Sequence, residues 1–254
     1  TVKTDPNMSV DAYELEISTS GVTLTANGYG GRFYGGITLL TLMNTHENDL
    51  PYGVIHDSPR FEWRGQHLDC ARHFFHPTTI HDLLDLMALM KLNRFHWHFA
   101  DDEAFRLQID SYPELWQKTE LCGEGHLMPT LFSRAIEAGG SYSKADAAQV
   151  IKRAKDLNIE VMPEIEALSH ALAIGRVFPD RLDPDDMGTE TSVQGYRHNI
   201  LNPAMPQTWE VLSAVAREVG DMFPFGNLHL GGDELPDGTW MNSPAARELM
   251  DREG

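Results

Sequence analysis

Cysteine is nearly missing from this chain: 254 residues include two, Cys70 and Cys122. Two thiols build neither a disulfide framework nor a cysteine-based zinc cluster. Cys70, in HLDCARH, reads as a small packed thiol at a buried strand end. Long apolar runs are missing too: none approaches the ~20 residues that a membrane helix needs. No signal-peptide pattern is visible, and the chain starts at Thr rather than Met. Positive charge is scarce, with 20 Lys and Arg against 38 Asp and Glu and a formal net charge of −18. Such a surface repels phosphate backbones and argues against a nucleic-acid partner. It suits a secreted or periplasmic protein, or a saline habitat. There is no internal repeat and no low-complexity tract.

What is present falls into two blocks, 1–58 and 59–254. In the first, YELEIS and VTLTAN read as two short strands joined by a tight turn. GYGGRFYGGITLLTLMNT reads as a glycine-led helix, and NDLPYGVIHDSPRFEW as a connector. Two strands and a helix bury too little to stand alone, so this block must lean on something. From residue 62 strands and helices alternate. RGQHLD (64–69) is a strand. The next segment carries Ile80, Leu83, Leu84, Met87 and Met90 at helical spacing. RFHWHF (94–99) is a second strand and IEVMPEIEAL contains a third. Between them lies a helix with Ala147, Val150, Ile151 and Ala154 on one face, started by Ser143 and Asp146. A helix with Leu212, Val215, Ala216 and Val219 on one face leads to a fourth strand, NLHLGG. A last helix opens at Ser243 and Pro244. Alternating β and α argues for parallel strands. Four βα units fit half of an eight-fold barrel or an open doubly wound sheet.

In either architecture chemistry collects at the C-terminal ends of strands. Asp69, Arg72 and His73 follow the first strand, and Asp101, Asp102 and Glu103 the second. Glu164, Glu166 and His170 follow the third, and Asp233 and Glu234 the fourth. One such group is an ordinary solvated loop charge; four strand ends together point to a site. His96 and His98, two apart, face the same side of a strand. They either ligate a divalent metal, as in metal-dependent hydrolases, or pack inside and bond to backbone or carboxylates. The second reading is favoured, because a motif this short often matches by chance. Arg72, beside aromatic residues, offers a planar fork for hydroxyls or a carboxylate.

RGQHLDCARHFF, KLNRFHWHFADDEAFRLQI, IEVMPEIEALSH and LHLGGDE resemble, in order, successive blocks of the family 20 glycoside hydrolases, the β-N-acetylhexosaminidases. The resemblance implies a (β/α)₈ TIM-type barrel preceded by a small α/β domain. It implies removal of terminal N-acetylglucosamine or N-acetylgalactosamine from β-linked oligosaccharides. It also implies retention of configuration through the substrate's own acetamido oxygen and an oxazolinium intermediate, without a protein nucleophile or a cofactor. Carried over by position, Glu234 matches the general acid, a role that requires a protonated carboxyl. Asp233 matches the ionised partner of the acetamido group, and a negative neighbour helps an acid keep its proton. Asp101 and His170 match a relay that orients the acid. Arg72 matches the residue that bonds the sugar 3- and 4-hydroxyls, and Trp240 is a second candidate for binding substrate.

Two departures stand out. EALSH lacks the usual Pro-Gly turn and has Glu166 where Asp is common. DDEAFR has Ala104 and Phe105 where Gly-Trp is frequent. These changes and the 119–142 insertion bear on substrate preference. The length leads to a further expectation: a partial resemblance, covering the end of the small domain and only about the first four βα units of the barrel. The family's sugar-stacking aromatics would then lie beyond residue 254, and a second chain or further segment would complete the barrel. Two other functions compete: a metal-dependent hydrolase at His96 and His98, and a non-catalytic sugar-binding fragment.

Overall fold

The structure, a computed structural model, describes residues 1–47, 49–130, 135–186 and 191–254. The chain divides into two compact units. One comprises Thr1–Gln66, His81–Phe95 and Lys152–Glu160, the other His67–Ile80, His96–Ile151 and Val161–Gly254.

The first unit begins with strands β1 (Val2–Thr4), β2 (Tyr13–Ser18) and β3 (Gly21–Ala26), helix α1 (Tyr29–Thr45) and strand β4 (Gly53–Asp57). Alternation in YELEIS turns Tyr13, Leu15 and Ile17 inward, and all three are buried with Ala26 and Tyr34. β2 and β3 form the expected hairpin, antiparallel from Tyr13↔Ala26 to Ser18↔Gly21. Two further strands join them, β4 from the segment read as a connector: β1 runs parallel to β3, and β4 antiparallel to β2, giving the order β1-β3-β2-β4. α1 packs on β2 and β3. It can approach closely because Gly31 has no side chain: a Cβ there would lie 2.1 Å from the Ala12 carbonyl oxygen. A polar knot ties the sheet down, with Lys91 Nζ donating to both Tyr13 Oη and Asp57 Oδ2 at 2.8 Å.

The chain continues through β5 (Gly65–Asp69), α2 (Pro77–Leu89), β6 (Arg94–His98), β7 (Ala100–Asp101), β8 (Ala104–Phe105), α3 (Glu114–Thr119), β9 (Leu121–Gly123), β10 (Glu137–Gly139), α4 (Lys144–Asp156) and β11 (Glu160–Glu164). Helices α5 (Leu172–Val177), α6 (Pro206–Met222) and α7 (Pro244–Glu253) follow. β5, β6 and β11 share a sheet in the order β11-β6-β5. In the second unit Trp97, Phe99, Phe105, Tyr142 and Phe223 form a buried aromatic core, with Tyr142 Oη donating to the Phe75 carbonyl at 2.7 Å. Val211, Leu212, Val215 and Val219 make the buried face of α6. Two helix starts expected from sequence are capped as their residues dictate. Ser143 Oγ accepts from Asp146 N while Asp146 Oδ2 accepts from Ser143 N, a reciprocal pair. Ser243 Oγ accepts from Ala246 N ahead of Pro244.

The expectation of only four βα units is corrected. Among the described residues, seven strands lie between 59 and 254, and an eighth segment bridges at His229 to Glu164. The additional strands come from the stretch between RFHWHF and the helix that starts at Ser143, where no strand was expected. It folds into two short antiparallel pairs, β7 with β8 and β9 with β10. Pairs of two or three residues carry too little periodicity to register in sequence. NLHLGG, expected as a full strand, pairs with the 163–167 segment only around His229 and Leu230, and Gly231 and Gly232 turn to φ of 62° and 93° straight after it. The strand content is that of a fuller barrel-type arrangement than half a barrel. Within the 119–142 insertion, residues 131–134 lie outside the described residues. No described helix is long and apolar enough to cross a membrane.

Candidate active site

A cleft of about 600 Å³ in the second unit is lined by Arg72, His98, Asp101, Glu164, His170 and Asp233, among others. Strand alternation explains the convergence. His67 and Asp69, His96 and His98, and Glu164 and Glu166 are each two residues apart and so share a face. The four strand-end groups picked out in sequence are thereby brought together.

Asp101 is the hub on one side. Its Oδ2 lies 2.8 Å from both His98 Nε2 and Arg72 Nη2. Its Oδ1 accepts from the Asp102 amide at 2.6 Å and stands 3.4 Å from His170 Nδ1. His170 is buried, and its Nε2 faces Glu234 Oε2 at 3.4 Å and Asp233 Oδ2 at 3.9 Å. The two acids remain open, with 44% of the Glu234 side chain and 70% of Asp233 exposed, as a substrate-facing pair must be. Burial disfavours charge at His170, but Asp101 and Asp102 outweigh it and raise its pKa to about 11. Burial also opposes ionisation of Asp101, yet His170, His98 and Arg72 hold it well below the usual carboxylate range. Arg72 bonds Asp69 and Asp101 at 2.8 Å each and sits 3.8 Å from Glu103, so it braces the acids while lining the cleft. Glu103 is buried, and burial with the nearby Asp101 charge pushes it up to about 7.

Glu164 is the hub on the other side, and sequence reasoning did not single it out from its neighbours. His98 Nδ1 and His96 Nε2 lie 2.5 and 2.7 Å from its Oε2, and His229 Nδ1 2.6 Å from its Oε1. His67 stands further off at 3.9 Å. His67 and His229 were missed as site residues; the signal was parity, His67 lying two positions before Asp69 and His229 four before Asp233. The donor types would suit a divalent metal, and several triplets here are close enough to be considered. Ligand atoms of a tetrahedral zinc ion bound at ~2.0–2.1 Å stand roughly 3.3 Å apart. The contacts of His96, His98 and His229 with Glu164, at 2.5–2.7 Å, are shorter than that, and His98 Nδ1 is hydrogen-bonded to the Glu164 carboxylate.

The backbone is bent where the chemistry lies. Leu168, His170 and Glu234 adopt φ of 80°, 47° and 55°, in a region that costs non-glycine residues of order 1–3 kcal/mol. The turn in EALSH forms without Pro-Gly because its ends are tied: Leu168 O accepts from Leu201 N, and Ala171 N donates to Asn199 O. Gly231 adopts a φ that favours glycine, and a Cβ there would fall 1.8 Å from Glu166 Oε2, so any other residue would have to push that carboxyl aside. Gly232 N donates to that same oxygen at 3.2 Å. Burial raises Glu166 to about 8. Trp240 is not brought into the cleft. Its indole N–H bonds the Leu201 carbonyl, and it lines a separate small cavity with Asp183 and Asn199.

These shifts fix the pH dependence of stability. His98 and His170, raised from 6.5 to about 10 and 11, stabilise the fold fully below pH 6.5 and lose that contribution as pH rises through those values. Glu166, raised from 4.5 to about 8, adds a loss between those limits. Asp101 and Glu164, both lowered, contribute above their unfolded values and lose it in acid. Thermal melts across pH are expected to peak between 4.5 and 6.5 and to decline on both sides. A maximum above pH 8 would contradict the charge states assigned here.

The description "Glycosyl hydrolase family 20, catalytic domain" matches residues 61–254, and "Glycosyl hydrolase family 20, domain 2" matches 1–58. The chain belongs to glycosyl hydrolase family 20. Among family 20 relatives, a β-hexosaminidase of Vibrio furnissii is 37% identical over 100% of this chain and 42% of its own length. The α subunit of the Bos taurus β-hexosaminidase is 34% identical over 97% of this chain and 44% of its own. A crystal structure of the Vibrio harveyi family 20 exo-β-N-acetylglucosaminidase with N-acetylglucosamine superposes with a TM-score of 0.92 at 33% identity. It covers 99% of this chain and 40% of that one. The chain thus spans less than half the length of these relatives. The expectation of a partial family 20 resemblance, to the end of the small domain and half of the barrel, is overturned. Both domain descriptions match, and together they take in nearly every residue.

Proposed function

We propose that this chain carries an exo-acting β-N-acetylhexosaminidase activity on oligosaccharides ending in β-linked N-acetylglucosamine or N-acetylgalactosamine. The observation that carries the reading is the exposed Asp233–Glu234 pair set against one edge of a buried His170, whose other edge is held by Asp101. Family membership and the relatives' names support it. Glu234 protonates the glycosidic oxygen as the bond breaks. Asp233, ionised, accepts the acetamido N–H and turns the carbonyl oxygen toward the anomeric carbon. That oxygen displaces the leaving sugar and forms an oxazolinium ion, whose positive charge Asp233 faces. Glu234 then takes a proton from water, which opens the ring with net retention. Asp101 and His170 orient Glu234, and Arg72 binds sugar hydroxyls. A secreted or periplasmic setting fits the acidic composition.

The test is hydrolysis of p-nitrophenyl N-acetyl-β-glucosaminide and N-acetyl-β-galactosaminide, with the first-formed sugar followed by proton NMR. Release of the β-anomer from at least one is expected, at a rate unchanged by prior dialysis against EDTA. An α-anomer formed first would refute substrate assistance. Activity lost on chelation and restored by zinc would return the reaction to the histidine pair.

A further inference from the structure

The relay from Asp101 to His170 has an inner arm that no step above uses. His98 is buried between two carboxylates, with Nδ1 2.5 Å from Glu164 Oε2 and Nε2 2.8 Å from Asp101 Oδ2. An imidazole with a carboxylate at each nitrogen satisfies both only when both nitrogens carry protons. The other groups that face it are Glu166, 3.9 Å from Nδ1, and the His67 ring, 5.5 Å from it between centroids. Asp101 is in turn held by Arg72, by His170 and by the Asp102 amide. Glu164, Asp101 and Glu234 therefore alternate with His98 and His170 in one line from the interior to the solvent edge.

We propose that His98, clamped between Glu164 and Asp101, is a positioning residue that fixes the charge and orientation of Asp101, and through it of His170 and the acid beyond. The proposal rests on Glu234 being the general acid. Burial opposes a charge on His98, but its bonds to Asp101 and Glu164 outweigh burial and raise it to about 10, so it is a cation at every working pH. It offsets part of the Asp101 charge. Without it Asp101 would draw the His170 proton more strongly and turn more freely between its remaining partners. Glu164 acts on the same line with the opposite sign.

The two arms can be removed singly and together without much change of shape. His98→Gln keeps a donor near the Nε2 position and removes a positive charge, so the alkaline limb of kcat/KM is expected to move up by about half a pH unit. Glu164→Gln removes a negative charge and is expected to move that limb down by a similar amount. The double variant loses both charges and is expected to return most of the way to the parent profile. Variants that lose kcat without moving the limb, or that move it the same way, would show a packing role only and overturn the proposal. A measurement on the unaltered chain covers the case in which a variant fails to fold. In ¹⁵N spectra of labelled histidine, His98 should remain doubly protonated through pH 8; a neutral His98 at pH 7 overturns the proposal. A parent chain without turnover would refute the glycosidase reading instead. The inner arm would then be judged by the His98 protonation state and by whether the His170 titration shifts up in His98→Gln and down in Glu164→Gln.

Discussion

Glu234→Gln is expected to lower kcat on an N-acetylglucosaminyl disaccharide by on the order of 10²–10⁴, with KM little changed. The side chain is isosteric and 44% exposed at the cleft edge, so the fold should survive the exchange. What is lost is proton transfer in both halves of the reaction. In the first half a sugar alkoxide is a poor leaving group and needs the proton. In the second, water needs a base. The two halves can be told apart by leaving group. p-Nitrophenolate departs with little help, so its release should suffer less than that of a sugar, and the surviving deficit reports the water step. The contact with His170 gives a second expectation: a Gln amide at 3.4 Å from Nε2 cannot serve as base, so pH should have little effect on what activity remains. Equal loss of kcat for both leaving groups would place the defect in the water step, which the two substrates share. Unchanged turnover of the disaccharide would remove Glu234 from the chemistry.

Parts of this site were legible before any coordinates, because alternation is a short-range property. HWH places two imidazoles on one face whatever the partners. GGDE places two acids at a strand end, and the hairpin of Tyr13–Ser18 with Gly21–Ala26 follows from its pattern. What alternation could not supply was pairing across the chain. His98 and Glu164 are 66 residues apart, and nothing local shows that one carboxylate gathers three imidazoles. The metal alternative arises because two histidines at spacing two look alike whether they meet a cation or a carboxylate. The direction of the Trp240 side chain is likewise beyond local pattern. The residue follows the acids closely in sequence, but at φ 62° its ring turns to the Leu201 carbonyl. The short strands of 100–139 left no signal in sequence because two- and three-residue pairs are set by their partners rather than by propensity.

The adjacency of Asp233 and Glu234 leads to the second large effect. Asp233→Asn is expected to cost on the order of 10²–10³ in kcat, a loss typical of removing one preorganised electrostatic partner. Asp233 is the more exposed of the two, and its carboxylate stands 3.9 Å from His170, so it is held only lightly by the protein. In the proposed reaction its work is done on the substrate. An ionised carboxylate accepts the acetamido N–H and faces the charge that spreads over the oxazolinium ring. An Asn side chain can still accept that N–H through its carbonyl, but only in one of two orientations, and it carries no charge. The loss should therefore depend on the acetamido group. For a β-glucoside that lacks it, the parent chain is already expected to be poor, and Asp233→Asn should change that small rate little. The specificity ratio between N-acetylglucosaminide and glucoside should collapse along with kcat. Asp233→Glu keeps the charge but moves it by a methylene, and is expected to fall between parent and Asn. If Asn and the parent turned over the N-acetylglucosaminide equally, or if the glucoside lost as much as the N-acetylglucosaminide, the acetamido group would not be the nucleophile that Asp233 serves. Retention would then need another source of the second displacement, and the exposed acids of the relay among the described residues, Asp233 and Glu234, both face the same edge of His170.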